Sequence, residues 1–254
     1  HLLSYPIKLL NIMKWKKIGD ILVLDKYDPN DDFKEIAKKH NVKTIIKINK
    51  IEGDKREPQI KILYGKETET INKENNCLFK LDLAKVMWSK GNNNERIRIA
   101  NLVKEDETVI DMFAGIGYFS IPIGKFSPAQ KVISTEINPN SYHYLKENIR
   151  INKITNIEPF LGDNREIVPD FKGDRIIMGY VKTTHHFLDT AINSLNKNGI
   201  LHYHETVPDK LINTRPIKRI REAAEDRDFE LLNIQKIKRY APGVMHVVID
   251  AQLD

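Results

Sequence analysis

The 254-residue sequence holds one cysteine, Cys77, which excludes a disulfide framework and a zinc site built from cysteines. Such sparing use suits a reducing compartment, and a cytoplasmic protein is the expectation. Within NNCLFKLDL, Cys77 reads as a small apolar residue rather than a nucleophile. No apolar run approaches the roughly 20 residues that cross a bilayer, so no membrane partner is expected. Internal repeats and low-complexity tracts are missing, and no signal peptide is recognisable. The first residue is His1 rather than Met, which reads as a truncated or tag-derived start.

A strong overall charge is also lacking, since the formal net charge is only +6. It is unevenly placed, however. Residues 1–105 carry 22 Lys+Arg against 15 Asp+Glu, and residues 106–254 carry 19 against 20. In HLLSYPIKLLNIMKWKKIGD, lysines interleave with Tyr5 and Trp15. A basic module beside a near-neutral one suits a polyphosphate partner such as RNA. Charge alone fits a lysine-rich solvated surface equally well.

With 41 % apolar and 30 % charged residues, the chain is long enough for one large domain or two unequal ones. Its first part predicts a small α+β module over 1–86. Ile21–Leu24 is a strand, Phe33–Lys39 a helix capped by Asp31 and Asp32, and Thr44–Ile48 a strand of alternating isoleucines. QIKILYG and TETINKENNCLFKLDLAKV supply further strands, the latter two separated by the turn-prone KENN. A connecting segment over 87–105 carries a Gly/Asn-rich turn into a helix, Glu95–Val103. From 106 to 254 the rhythm is strand–helix alternation, with strands at Thr108–Met112, Lys131–Glu136, Ile157–Leu161, Arg175–Tyr180 and Gly199–Glu205. Helices are predicted over 118–126, 139–151, 164–169, 184–196 and 208–227. Such alternation implies a parallel sheet covered on both faces. The last stretch, FELLNIQKIKRYAPGVMHVVIDAQL, reads as an antiparallel hairpin across APG at the sheet edge. The fold class is therefore α/β, in the Rossmann-like, seven-stranded plan of class I S-adenosylmethionine-dependent enzymes, preceded by a small α+β domain.

TVIDMFAGIGYFSIPIGKF has the strand–tight turn–helix shape of a nucleotide-binding unit. The dinucleotide pattern G-x-G-x-x-G lacks its third glycine here, because Ser120 follows Gly115 and Gly117. The carboxylates discriminate further. Glu136 ends the second strand, where it can accept from both ribose hydroxyls, as in dinucleotide enzymes too. Asp163, with Asn164 beside it, ends the third strand, where a carboxylate can receive an adenine amino group. Asp111 lies under the glycine turn, where an anion suits a cationic amino group better than a pyrophosphate. Three acids at three successive strand ends favour S-adenosylmethionine over NAD. Each has a structural alternative: Asp111 and Asp163 as caps, Glu136 as the partner of a lysine.

DMFAGIGYFSIP, STEINPNSYHYLKENIRIN and GDNRE resemble the archaeal and eukaryal tRNA modification enzymes that act beside the anticodon. ETETINKENNCLFKLDLAKVMWSKGNNNERIRIANLV is similar to the segment preceding the catalytic domain in that family, so the resemblance covers most of residues 20–254. The family includes 1-methylguanosine methyltransferases and wybutosine-synthesising aminocarboxypropyl transferases, which draw different groups from S-adenosylmethionine. Methyltransferases typically end the fourth strand in Asn-Leu-Pro, where this chain has Gly179-Tyr180-Val181. They follow the glycine turn with Gly-Pro-Phe, where this chain has Gly117-Tyr118-Phe119. GILHYHETVP also looks like the aminocarboxypropyl branch. The resemblance thus implies transfer of the 3-amino-3-carboxypropyl group to a tricyclic wyosine precursor in phenylalanine tRNA; nothing in the sequence demands more than a monomer.

It further implies cofactor contacts by Ser89, Arg96, Asp111, Phe113, Gly115, Gly117, Glu136, Asp163 and Asn164. Arg96 suits the methionyl carboxylate, although Glu95, Arg96 and Arg98 also read as an exposed helix face. On the substrate side stand Gly179, Tyr180, His202 and His204; Lys90, Lys182 and Arg165 are candidate phosphate contacts. His202 and His204 alternate on one strand and His185-His186 opens a helix, but no third ligand completes a zinc site, and no metal is expected. Nothing in the pattern demands a general base. Competing readings are 1-methylguanosine formation, a noncatalytic RNA-binding module, and NAD-dependent oxidoreduction.

Overall fold

In the computed structural model, residues 14–53, 55–89 and 91–254 are described. The chain divides into two units: the described residues up to Lys73 together with Leu78–Trp88, and Glu74–Cys77 together with Ser89–Asp254. Tyr5 and the residues around it, and Lys90, lie outside the described residues.

In the first unit, β1 (Trp15–Ile18) and β2 (Ile21–Leu24) pair antiparallel, and β2 runs parallel to β3 (Thr44–Glu52). The crossover is α1 (Phe33–His40), and β4 (Glu57–Tyr64) closes the sheet order β1-β2-β3-β4. Asp32 is the cap of α1, accepting from the Glu35 N–H at 3.0 Å, whereas Asp31 accepts from the Asp28 N–H. Leu22, Leu24, Ile36, Ala37 and Ile45 form the core. The sequence pattern misses β1, because WKKI is short and three of its four residues are exposed. β5 (Glu69–Glu74) and β6 (Cys77–Asp82) form a separate two-stranded ladder.

In the second unit α2 (Asn93–Leu102) precedes β7 (Thr108–Asp111), α3 (Ser120–Phe126), β8 (Lys131–Glu136), α4 (Pro139–Ile151), β9 (Ile157–Leu161) and α5 (Asn164–Ile167). There follow β10 (Gly173–Met178), α6 (Leu188–Ser194), β11 (Leu195–Pro208), α7 (Arg215–Ala224), β12 (Phe229–Ala241) and β13 (Val244–Leu253). The seven-stranded sheet has the order β12-β13-β11-β10-β7-β8-β9, parallel except for β13. This is the expected class I plan. Strand order reverses between β7 and β10, and ligands of open α/β sheets bind outside the carboxyl ends at that switch.

Two element ends that bear on the site depart from the sequence expectation. The helix expected over 208–227 is only Arg215–Ala224, starting where Pro216 fixes a helical φ at a position whose N–H has no partner to lose. β10 stops at Met178, so Gly179 and Tyr180 stand beyond the strand, on the rim of the sheet. No helix among the described residues is long and apolar enough to cross a membrane.

Candidate active site

The turn from β7 to α3 is tied to both neighbouring strands. The Met112 N–H donates to Ile177 O at 3.1 Å and the Ala114 N–H to Thr135 O at 2.9 Å. Asn148 of α4, fully buried, donates to Ile116 O at 2.9 Å. Gly115 and Gly117 have φ of +59° and +100°, a region that L side chains rarely adopt. A Cβ on Gly117 would lie 2.5 Å from Ile121 Cγ1. Gly117→Ala is therefore expected to cost about 2–4 kcal/mol through strain and overpacking. Thermal unfolding would register that as a fall in Tm of roughly 5–15 °C.

The three acids do different work. Asp111 is fully buried; its carboxylate accepts from the Ser120 hydroxyl at 2.7 Å and the Phe113 N–H at 3.3 Å. Burial pushes its pKa up to about 6. The structure thus gives Asp111 the role of turn anchor, its oxygens aimed into the protein. Glu136 accepts from the Gly115 N–H and the Asn138 N–H, each at 2.7 Å. Each of its oxygens keeps a second lone pair for a further donor. Asp163 caps α5, accepting from the Arg165 N–H at 2.9 Å, and it pairs with the Arg165 guanidinium, which holds its pKa down. Asn164 donates to Met112 O at 2.8 Å, which orients its amide. Its buried Oδ1 has no protein partner.

Residues upstream of β7 meet the same turn. The Ser89 N–H donates to the Tyr118 hydroxyl at 3.3 Å, and the Arg96 guanidinium lies 4.6 Å from the Tyr118 ring centre. Arg96 is buried, donating to Glu74 and to Ser89 O. Its helix is no exposed face: Glu95 is buried as well, and Arg98 forks between Glu95 and Asp250.

On the rim, Phe113 stacks on Tyr180 with ring centres 5.3 Å apart and meets Phe187 edge-on at 5.0 Å. Arg165 lies 5.2 Å from the Phe187 ring centre. A Cβ on Gly179 would lie 2.9 Å from Phe119 Cε2. Lys182 is exposed beyond this cluster, and the His185 and His186 rings lie 4.0 Å apart. His202 and His204 depart from their expected place at the rim. Both are fully buried: His202 bridges Arg175 (2.7 Å) and Asp250 (2.6 Å), and His204 meets His246 at 3.0 Å. The alternation of HYH sets two imidazoles on one face, but that face is covered.

Sequence reasoning misses Tyr118, Glu74, Ser120 and Asn148 as parts of the site. Asn138, which donates to Glu136, is missed too, although it had a local signal as the cap of α4 with proline at its start. A nucleoside bearing a cationic amino-acid arm fits these groups. Glu136 offers acceptors and Asn164 Oδ1 awaits a donor, beside the tight turn that Gly115 and Gly117 make possible.

The model of the TRM5/TYW2 methyltransferase domain matches residues 70–232, and that of the TYW2 N-terminal domain matches residues 4–68. The chain is 50 % identical over 245 residues to the tRNA(Phe) (4-demethylwyosine(37)-C(7)) aminocarboxypropyltransferase of Methanocaldococcus jannaschii, covering 95 % of this chain and 98 % of that protein. Among solved structures, M. jannaschii TYW2 in complex with AdoMet is 46 % identical with a TM-score of 0.79, covering 95 % of this chain and 99 % of that one. P. horikoshii TYW2 in complex with MeSAdo is 39 % identical with a TM-score of 0.85, covering 98 % and 95 %. Sheet order, glycine turn and similarity along the chain agree, and the chain belongs to the TRM5/TYW2 family.

Proposed function

We propose that this chain is the aminocarboxypropyl transferase of its family, moving the 3-amino-3-carboxypropyl group of S-adenosylmethionine to C7 of 4-demethylwyosine at position 37 of tRNA(Phe). The rim of β10 carries the proposal. Where a guanine methyltransferase of the family presents an amide, this chain has Gly179 packed against Phe119, with no space for a side chain. Tyr180 stacks on Phe113 in front of it. That surface offers a flat tricyclic base a stacking face rather than an amide clamp.

When bound, S-adenosylmethionine supplies a sulfonium-activated carbon and a good leaving group, so the protein's task is mainly positioning. Glu136 would receive the ribose hydroxyls, and Asp163 and Asn164 the adenine edge, beside the turn that Gly115 and Gly117 shape. Ser89 and Arg96 stand at the arm's carboxylate end. Arg96 is the cation there, and engaging it directly would require sharing it with Glu74. All these residues belong to the second unit, so one copy of the chain suffices. In the first unit, Lys47 and Lys61 flank the Tyr27 ring at 5.6 and 5.4 Å. This basic, aromatic surface suits the tRNA backbone while the target base is unstacked.

The decisive assay is turnover with S-adenosylmethionine and tRNA(Phe) carrying 4-demethylwyosine, with the nucleoside by-product identified by chromatography. The expected by-product is 5′-methylthioadenosine. S-Adenosylhomocysteine would instead mean methyl transfer. Absence of S-adenosylmethionine binding in calorimetry would leave a noncatalytic RNA-binding module.

A further inference from the structure

Glu205, near the carboxyl end of β11, is a buried carboxylate holding two guanidinium groups at once. One oxygen accepts from Arg215 Nε at 2.7 Å and Arg219 Nη1 at 2.6 Å; the other accepts from the Tyr203 hydroxyl at 2.8 Å. Arg215 also donates to Thr206 O at 2.6 Å. One carboxylate neutralises one guanidinium, so the cluster keeps a positive charge. That charge reaches solvent, because the Arg215 and Arg219 side chains are 30 % and 27 % exposed. Arg215 Nη1 has no acceptor in the hydrogen bonds of the described residues. His185 lies in the field of the same cluster.

The position gives the excess charge a direction. The Thr206 hydroxyl donates to Val181 O at 3.0 Å, and Val181 follows Tyr180, the outer ring of the rim stack. The pair is therefore joined, through Thr206 and Val181, to the segment bearing Tyr180, whose ring is part of the stacking face proposed for the target base. A base lying on that stack must carry its ribose-phosphate backbone past this edge. Forked guanidiniums fixed on a buried anchor suit phosphate oxygens better than mobile lysines do.

We propose that Arg215 and Arg219, gathered on Glu205, dock a phosphodiester of the tRNA strand bearing the target base. The tRNA as partner rests on the function proposed above; the anion site rests on the cluster itself. Neutralising one arginine leaves the other, and Tyr203, on the buried carboxylate, so Arg219→Gln and Arg215→Gln are independent trials.

The experiment measures binding of a tRNA(Phe) transcript by fluorescence anisotropy across a KCl series, with S-adenosylmethionine affinity measured in parallel by calorimetry. Each neutral variant is expected to lower the slope of log affinity against log salt by about 0.7–0.9 and to weaken binding roughly fivefold to tenfold at 0.1 M salt. Arg219→Lys should recover most of the slope. S-Adenosylmethionine affinity should stay within about twofold of the parent. Lys131→Gln, which removes an exposed lysine at the amino end of β8, should leave the slope unchanged. Unaltered slopes in the arginine variants, or an equal fall with Lys131→Gln, would overturn the proposal. So would weaker S-adenosylmethionine binding at an unchanged tRNA slope, which would assign the pair to the methionyl carboxylate. If the parent chain fails to bind S-adenosylmethionine while the slopes still fall, the function proposed above fails and the phosphate site stands.

Discussion

Glu136→Gln is expected to weaken S-adenosylmethionine binding by about 10²-fold or more, read as Kd by titration calorimetry. The parent carboxylate already accepts from the Gly115 and Asn138 N–H groups while holding lone pairs for the ribose. An amide of the same size replaces one acceptor with a donor, so an –NH2 must face a backbone N–H. Charge-assisted hydrogen bonds contribute about 1.5–3 kcal/mol each, and both proposed ribose contacts lose the charge. Two effects of that size exceed the roughly 2.7 kcal/mol that corresponds to 10² in Kd. The change also disturbs the turn on its ligand-free side, so thermal unfolding of the free protein should fall by a few degrees. A Kd within threefold of the parent would remove Glu136 from the cofactor site.

Acidification from pH 7.5 to 5 is expected to lower stability by about 1–3 kcal/mol, seen as a lower urea midpoint. His202, His204 and His246 are buried, and burial depresses each pKa, that of His246 to about 4. For His202 the geometry fixes the neutral form. Arg175 can only donate to its Nε2, so Nδ1 carries the hydrogen given to Asp250. Between the unfolded pKa of about 6.5 and the folded value, the unfolded chain binds the extra proton. Stability is therefore complete above that window and is lost as pH falls through it. His246 alone accounts for about 1.4 kcal/mol per pH unit, and the other two act in the same direction. Asp111 works oppositely, since its raised pKa favours the folded state as pH falls through about 6. Glu136, its carboxyl also raised by burial, acts with Asp111, so two carboxyl groups stand against the three buried imidazoles. His246→Gln should flatten the dependence, and a midpoint that does not fall between pH 7.5 and 5 would contradict the assignment.

The parallel strands were legible because period and length separate them from the helices, and β8, β9 and α4 have the bounds read from the sequence. The glycine turn was equally plain from its own residues, and Glu136 ends β8 where the pattern put it. Asp111 and Asp163 show the limit of such local evidence. A carboxylate at a strand end looks the same whether it faces ligand, hydroxyl or helix terminus: Asp111 meets the Ser120 hydroxyl, whereas Asp163 caps α5 at the place proposed for the adenine edge. The histidines were misplaced for a related reason. Alternation specifies a shared face, whereas what covers that face comes from Arg175, Asp250 and His246, 27, 48 and 42 residues away from their histidine partners. The alternative reading of Glu95, Arg96 and Arg98 as an exposed face arose because nothing nearby in sequence announces Glu74 or Asp250 as partners.

The bond between Arg98 and Asp250 spans 152 residues. It ties α2, the helix bearing Arg96, to β13, which is made last yet lies between β12 and β11 in the sheet. A nascent chain leaving the ribosome can close the βα units as they emerge, but it cannot finish the sheet until β13 inserts. Contacts of such separation carry a large loop-closure cost and slow folding. Until that insertion, Arg98 has only Glu95 of its two carboxylate partners, and the strand edge of β11 stays open. Partly made chains are therefore most vulnerable to edge-to-edge association late in synthesis.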